Sequence, residues 1–279
     1  MKKILLPALL LATSFCIAQV KMPAPSTTQT IVQDFGMGKL ELTYSRPNIK
    51  GRTLFKENSE LAPLGKVWRT GANSATKLKV TDPINMAGHT IDTGSYAIFT
   101  IPGKKDWTII INKDSKNWGT QYAEQDDLFR FTVTADAMKE SIETFTMQFA
   151  DIKAESCELH LMWGNTFVRI PITTNIRERL RAQFETALNA DKVNPVVYQQ
   201  AATFYFEMDK DNNKALQCVA KASEANPKAF WLFLQKAKIE KAMGDKASAK
   251  ADAEKCISLA TEQKNDDYVR SAKEVLKSL

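Results

Sequence analysis

The sequence predicts two folds in tandem: an all-β sandwich or jelly-roll-like domain over residues 29–173 and an all-α domain over residues 175–279. Three observations carry this. Between Gln29 and Ile172, short runs with period-two alternation are punctuated by Gly, Pro and Asn. From Asn175 onward Gly and Pro nearly vanish, and Ala, Lys, Glu and Leu take over. Ile176, Leu180, Phe184 and Leu188 then keep the spacing of a helical stripe. At 279 residues and 44% hydrophobic composition, the chain is long enough for two cores.

Residues 1–18 read as a signal peptide. Lys2 and Lys3 precede the apolar run Ile4 to Leu11, and Cys16-Ile17-Ala18 offers small residues for cleavage before Gln19. The run is shorter than the roughly 20 apolar residues a bilayer span needs, and no later segment comes closer, so no transmembrane segment is expected. Localisation is therefore read as secreted or periplasmic after cleavage near Ala18. Bulky Phe15 before Cys16 argues against a lipid anchor on that cysteine.

Residues 19–28 form a Pro-bearing, polar and flexible lead-in. Strands follow at Gln29 to Asp34 and Lys39 to Tyr44, turning at Gly36-Met37-Gly38. A loop runs from Pro47 to Gly65, and Thr76 to Val80 resumes as a strand. Ile84 to Ile91 is a hairpin turning near Ala87-Gly88, and Gly94 to Ile101 alternates until Pro102-Gly103. Trp107 to Ile111 is continuously apolar, suited to a strand covered on both faces. Leu128 to Thr134, Ile142 to Phe149, Cys157 to Trp163 and Thr166 to Ile172 complete about ten short strands, with Gly164-Asn165 turning between the last two.

In the second part, Asn194-Pro195 and Asn226-Pro227 read as helix starts, with Asn as cap and Pro at the first helical position. Ala215 and Ala249 stand 34 residues apart, each in a second-helix pattern. This spacing resembles tetratricopeptide repeats. Ala215, Val219, Ala222 and Pro227 match that family's small, bulky, small and proline positions, whereas its first-helix aromatic and glycine positions fit poorly. The reading is two degenerate repeats with a closing helix, against an ordinary antiparallel bundle.

The formal charge of +6 falls to +4 once Lys2 and Lys3 leave. This mild excess has no basic tract and does not describe a nucleic-acid binder. Cys157, Cys218 and Cys256 remain after cleavage, an odd and scattered set that argues against a disulfide scaffold. Whether Cys218 and Cys256 pair or stay as buried thiols is open. Only His89 and His160 are present, Asp126-Asp127 with Glu124 lacks the spacing of a calcium loop, and no metal is expected. No phosphate loop or dinucleotide fingerprint implies a cofactor.

The segment Lys66-Val67-Trp68-Arg69-Thr70-Gly71-Ala72-Asn73, with Arg46 and Arg52 upstream, has the clearest functional look. Arginine offers a planar fork for carboxylate, phosphate or sulfate, and tryptophan a flat face for sugars. The ligand-binding candidates are Arg46, Arg52, Lys66, Trp68, Arg69, Asn73, Tyr96 and Lys113. The competing reading has Trp68 filling the core while Arg46 and Arg69 satisfy loop carbonyls or pair with an acid.

Tyr44-Ser45-Arg46-Pro47, Lys50-Gly51-Arg52, Gly65 to Asn73, Gly94-Ser95-Tyr96, Phe99 to Gly103, Trp107-Thr108, Asn112-Lys113 and Trp118-Gly119 together resemble the domain of unknown function 2911 family. The resemblance covers about Pro23 to Ile172. It implies a secreted, β-rich domain and supplies no activity, substrate or catalytic residue.

The expected function is a secreted two-domain protein whose β domain binds a small anionic or sugar-like ligand and whose helices engage a protein partner. The alternatives are an envelope hydrolase using residues such as Ser45, Tyr96, Lys113 or His160, or a structural assembly protein. Whether the chain is an enzyme stays open at this point.

Overall fold

The computed structural model describes residues 22–116 and 118–279. The expected signal peptide and Cys16 lie outside the described residues. Among these, nine strands form one antiparallel sheet that does not close on itself, and six α-helices follow.

Strands β1 (Thr27–Phe35) and β2 (Gly38–Arg46) make a hairpin across Gly36, whose φ of 61° serves the turn. A side chain at Gly36 would also meet Thr174 Cγ2 at 2.9 Å. Then come β3 (Thr76–Val80), β4 (Ile84–Met86), β5 (His89–Ile91), β6 (Gly94–Ile101) and β7 (Asp106–Asn112). The last two are β8 (Asp127–Ala150) and β9 (Ser156–Thr173), and the sheet order is β1-β2-β3-β6-β7-β8-β9-β4-β5.

β7 is buried on both faces, as its apolar run predicts. Trp107, Ile109 and Ile111 join the main core, while Ile110 packs with Ala75, Ala97 and Phe99 on the other side, where Tyr122 covers them.

Two expectations about the strands need correction. The runs Leu128 to Thr134 and Ile142 to Phe149 are one 24-residue strand, β8. The intervening Ala135 to Ser141 contains neither Gly nor Pro, so nothing ends the extended chain. Instead β8 changes partner along its length: Asp127 to Thr134 pair with β7, and Ala135 to Ala150 pair with β9 through two register shifts. Gly164-Asn165 likewise does not separate two strands. β9 runs through it, yet it bends sharply there. The rings of His160 and Phe167 lie 4.8 Å apart, whereas seven residues of straight strand would separate them by about 23 Å. Gly164, at φ 55°, absorbs that corner.

The folded ribbon brings the far half of β8 over the end of β2. The Tyr44 hydroxyl accepts from Met147 N–H (2.9 Å), Phe145 N–H donates to Pro47 O (2.9 Å), and Ile49 N–H donates to Glu143 O (3.1 Å). Side chains from these strands and the β2–β3 connection meet in an aromatic cluster of Tyr44, Phe55, Trp68, Trp107, Phe145 and Trp163.

The helices are α1 (Arg177–Leu188), α2 (Pro195–Phe204), α3 (Asn212–Ala225), α4 (Phe230–Met243), α5 (Lys246–Glu262) and α6 (Asp266–Lys277). Asn194 caps α2 as expected, accepting from Val196 N–H with Pro195 in the first turn. A π-helical turn, Tyr205–Asp209, extends it and ends at left-handed Lys210. Asn226-Pro227 does not start a helix. Asn226 ends α3, Pro227 lies in the turn, and α4 begins at Phe230. Asp211, Asp245 and Asn265 cap α3, α5 and α6. Ala215 and Ala249 are both fully buried. Cys218 and Cys256 are free thiols in different clusters, so they do not pair. No helix among the described residues is long and apolar enough to cross a membrane.

Candidate functional site

The long connection between β2 and β3 carries Lys66 to Asn73. Trp68 fixes it to the sheet by exchanging two backbone bonds with Thr100 of β6, at 2.7 and 2.9 Å. The indole then enters the aromatic cluster, stacked on Trp163 at 5.5 Å and edge-on to Phe145 at 5.0 Å. Its N–H donates to Gly71 O (3.0 Å), and only 9% of the residue is exposed. Trp68 is therefore a core residue, and its flat face is not offered to a ligand.

That burial forces the next residues into a tight reversal. Thr70, Gly71 and Asn73 have φ of 55°, 152° and 60°. Thr70 is fully buried, and its hydroxyl bonds that of Thr100 at 3.2 Å. A Cβ at Gly71 would lie 2.8 Å from Ser45 O, so the close approach requires glycine. Between two buried neighbours, Arg69 has only the outward direction. Its Nη1 donates to Asn73 O (2.7 Å), and its stem lies so close to Gly119 that a Cβ there would be 2.5 Å from Arg69 Cδ.

Arg52 is held in a similar way, donating from Nε to Ile49 O (3.1 Å) and from Nη2 to Asn48 O (2.6 Å). Arg52 and Arg69 line one cavity of ≈ 570 Å³ together with Glu60, Asn73, Tyr122 and Trp163. Among the described residues neither guanidinium forms an ion pair with a carboxylate. Bonds to neutral carbonyls orient each group and leave both its charge and several of its five donors uncommitted.

Four of the eight expected residues thus surround one cavity: Arg52, Arg69, Asn73 and, from the core side, Trp68. The other four do not line it. Arg46 braces β2 against β8, donating from Nε to Phe145 O (3.1 Å) and from Nη2 to Thr146 Oγ1 (2.8 Å). Lys66 is exposed on the loop, and Lys113 is exposed past the end of β7. Tyr96 donates to Asp92 O (3.1 Å), and burial raises its phenol above the ordinary value.

Sequence reasoning missed Glu60, Tyr122 and Trp163, which reach the cavity from three distant segments. Tyr122 donates to Asp127 Oδ2 (2.7 Å) and accepts from Arg130 Nη2 (2.5 Å). Burial, then Asp127, pushes its phenol up to about 12, so it stays a neutral hydroxyl. It sits in a polar loop without periodicity, and no sequence signal marks it.

Elsewhere, Ser45 is buried and bonded to Thr28 Oγ1 (3.0 Å) and Asn73 Nδ2 (3.2 Å). His160 Nε2 lies 2.7 Å from Glu158 Oε2, and no hydrogen bond joins it to Ser45. Burial pushes the Cys157 and Cys256 thiols up to about 12 and about 11. Glu124 and Asp127 both pair with Arg130. Among the described residues Asp151, Glu158 and His160 bring three donor atoms within 4.8 Å of one another, two of them already bonded together.

None of the curated proteins compared with the chain matches it. The family model described as "Protein of unknown function (DUF2911)" matches residues 26–172, a stretch that holds every strand but the last residue of β9 and the whole cavity. That is more than half of the chain, which therefore belongs to this family.

Proposed function

We propose that this is a secreted binding protein whose strand-built part, folded as a sandwich, holds a small anionic or sugar-like ligand in the cavity between Arg52 and Arg69. The observation that carries the reading is the pair of guanidinium groups, oriented by backbone carbonyls and lacking a carboxylate partner among the described residues. A planar, charged fork held in place loses little entropy when it binds a carboxylate or phosphate. Glu60 and the Asn73 amide oxygen line the same cavity and add acceptors for ligand hydroxyls, the Asn73 Nδ2 being committed to Ser26 O and Ser45 Oγ.

Calorimetric titration of the full chain with galacturonate and with inorganic phosphate tests this. Arg52→Ala with Arg69→Ala should weaken binding at least tenfold while leaving the thermal midpoint nearly unchanged. Arg46→Ala should do the reverse, lowering the midpoint through its lost brace and sparing affinity. Unchanged affinity in the double variant would remove the proposal.

The helical part, read as tetratricopeptide-like, is proposed to engage a protein partner. A cavity of ≈ 420 Å³ there supports this, with the Lys214 ammonium 5.2 Å from the Tyr205 ring centre and Lys221 5.1 Å from that of Tyr198.

A further inference from the structure

We propose that the ligand is an acidic oligosaccharide extending beyond the Arg52–Arg69 cavity into a second, adjoining subsite built by Trp118, Lys77, Lys116 and a row of hydroxyls. This rests on the cavity reading above and names its ligand class.

The second cavity measures ≈ 640 Å³ and shares Asn73 with the first. Asn73 is the partition: its Nδ2 donates to Ser45 Oγ (3.2 Å) and Ser26 O (3.3 Å), fixing the residue where both cavities meet. On the far side the wall carries hydroxyls alongside two lysines. Thr28 and Ser45 hydroxyls lie 3.0 Å apart across β1 and β2, and Thr43, Ser74 and Ser115 line the same space. Ser45 is buried and bonded to Thr28 and Asn73, but the exposed Thr28 hydroxyl can donate once and accept twice, so its one bond to Ser45 leaves capacity for a ligand. Such a wall suits a molecule that is itself covered in hydroxyls.

Trp118 supplies the other half of the argument. Trp68, Trp107 and Trp163 are buried in the aromatic cluster, yet Trp118 is 57% exposed at the edge of this cavity. A solvent-facing indole leaves unrealised the favourable burial of a large apolar face. A pyranose ring has one C–H face that can cover an indole and a rim of hydroxyls that can meet the threonines and serines.

Charge decides between a neutral and an acidic glycan. Lys77 of β3 and Lys116 line the cavity, and among the described residues neither forms an ion pair. With Arg52 and Arg69 in the first cavity, four cationic groups line the two cavities that share Asn73, against Glu60 as the acid. A sugar chain that repeats a carboxylate or sulfate would offer an anionic partner to the cations of both cavities. A single-stranded nucleic acid would need successive stacking faces along a basic groove. Among the described residues that line the two cavities, Trp118 is the one exposed aromatic, so the oligosaccharide is favoured.

The test uses the full chain, titrated with galacturonic acid, tetragalacturonate, neutral cellotetraose and a short oligothymidylate, by calorimetry and by tryptophan emission. Tetragalacturonate should bind at least tenfold more tightly than the monomer and than cellotetraose, and should shift the emission. Trp118→Ala should remove the gain from length while leaving monomer affinity within twofold. Lys77→Ala with Lys116→Ala should also remove the gain and flatten its salt dependence. Equal affinity for monomer and tetramer would overturn the subsite while the first cavity stands. Tetramer binding that needs Trp118 but ignores Arg69→Ala would keep the subsite and remove the first cavity. Tighter binding of oligothymidylate, lost in Trp118→Ala, would overturn the choice of carbohydrate, and no binding of any probe would overturn both readings.

Discussion

Glu240 is 3% exposed within α4, and its Oε2 has no hydrogen-bond partner among the described residues. Lys236 Nζ stands 3.7 Å from its other oxygen and 2.8 Å from Asp252 on α5, so one ammonium serves two carboxylates. Burial first, and then the charge of Asp252, raises Glu240 from 4.5 to about 7, with Asp245 adding a further push. A carboxyl raised on folding binds its proton more tightly in the folded chain. Its contribution to stability is therefore complete below about pH 4.5 and is lost as pH rises through about 7. Glu240→Gln mimics the protonated form. It should match the parent in urea unfolding near pH 5 and be the more stable of the two at pH 8. A variant curve parallel to the parent's over that range would contradict this account. The same residue marks a limit of pattern reading, because its burial follows from which helix covers it, and a Glu in a Lys-rich helix looks solvated. Trp68 marks the opposite limit: its chemistry suits either a ligand platform or a core, and its burial against Trp163 and Phe145 decides for the core.

Where an element's boundaries are set by local chemistry, the chain spells them out. The Gly36 hairpin, the Ala87-Gly88 hairpin and the Asn194-Pro195 cap all fall where residues with special backbone or capping ability stand. β8 and β9 escape such reading because their shape comes from partners. β8 is held by β7 at one end and β9 at the other, and no residue within it announces the exchange. Gly164 was legible as a point of bending but not as the inside of a continuous strand. Its φ of 55° and the Leu54 Cδ2 atom 3.0 Å from a built Cβ allow a matched comparison with Gly51, which has φ of 72° and open space around it. Gly51→Ala should cost about 1 kcal/mol from left-handed backbone alone. Gly164→Ala should cost more, about 2 kcal/mol, because Leu54 must also move. Denaturant unfolding of both variants measures the difference, and equal losses would mean the corner yields freely.

The strand-built and helical parts meet at a junction that neither part could specify alone. Thr174 N–H donates to Glu155 O (3.0 Å) and its hydroxyl to Pro83 O (3.2 Å), which ties the end of β9 to two turns of the sheet. Glu155, in the turn between β8 and β9, then receives Ile176 N–H (3.2 Å) and Arg177 N–H (3.3 Å) on Oε1 and Arg177 Nη2 (3.1 Å) on Oε2. A carboxylate from the sheet thus satisfies the first free amides of α1 and faces the positive end of its dipole. Arg179 adds a two-pronged pair to Asp82, at 2.8 and 3.3 Å. None of this was visible in the sequence, since Glu155 and Ile176 are 21 residues apart and belong to different textures. Removing the carboxylate should loosen the helices from the sheet without unfolding either. Glu155→Ala should lower overall stability by about 1 kcal/mol, a typical loss for an absent cap. It should also speed amide exchange at Ile176 and Arg177 well above that of the α4 and α5 interiors. Glu155→Gln keeps one acceptor oxygen but no charge, so it should fall between parent and alanine. If exchange at Ile176 and Arg177 stays at the parent rate in Glu155→Ala, the cap does not hold the junction, and the Arg179–Asp82 pair must carry it instead.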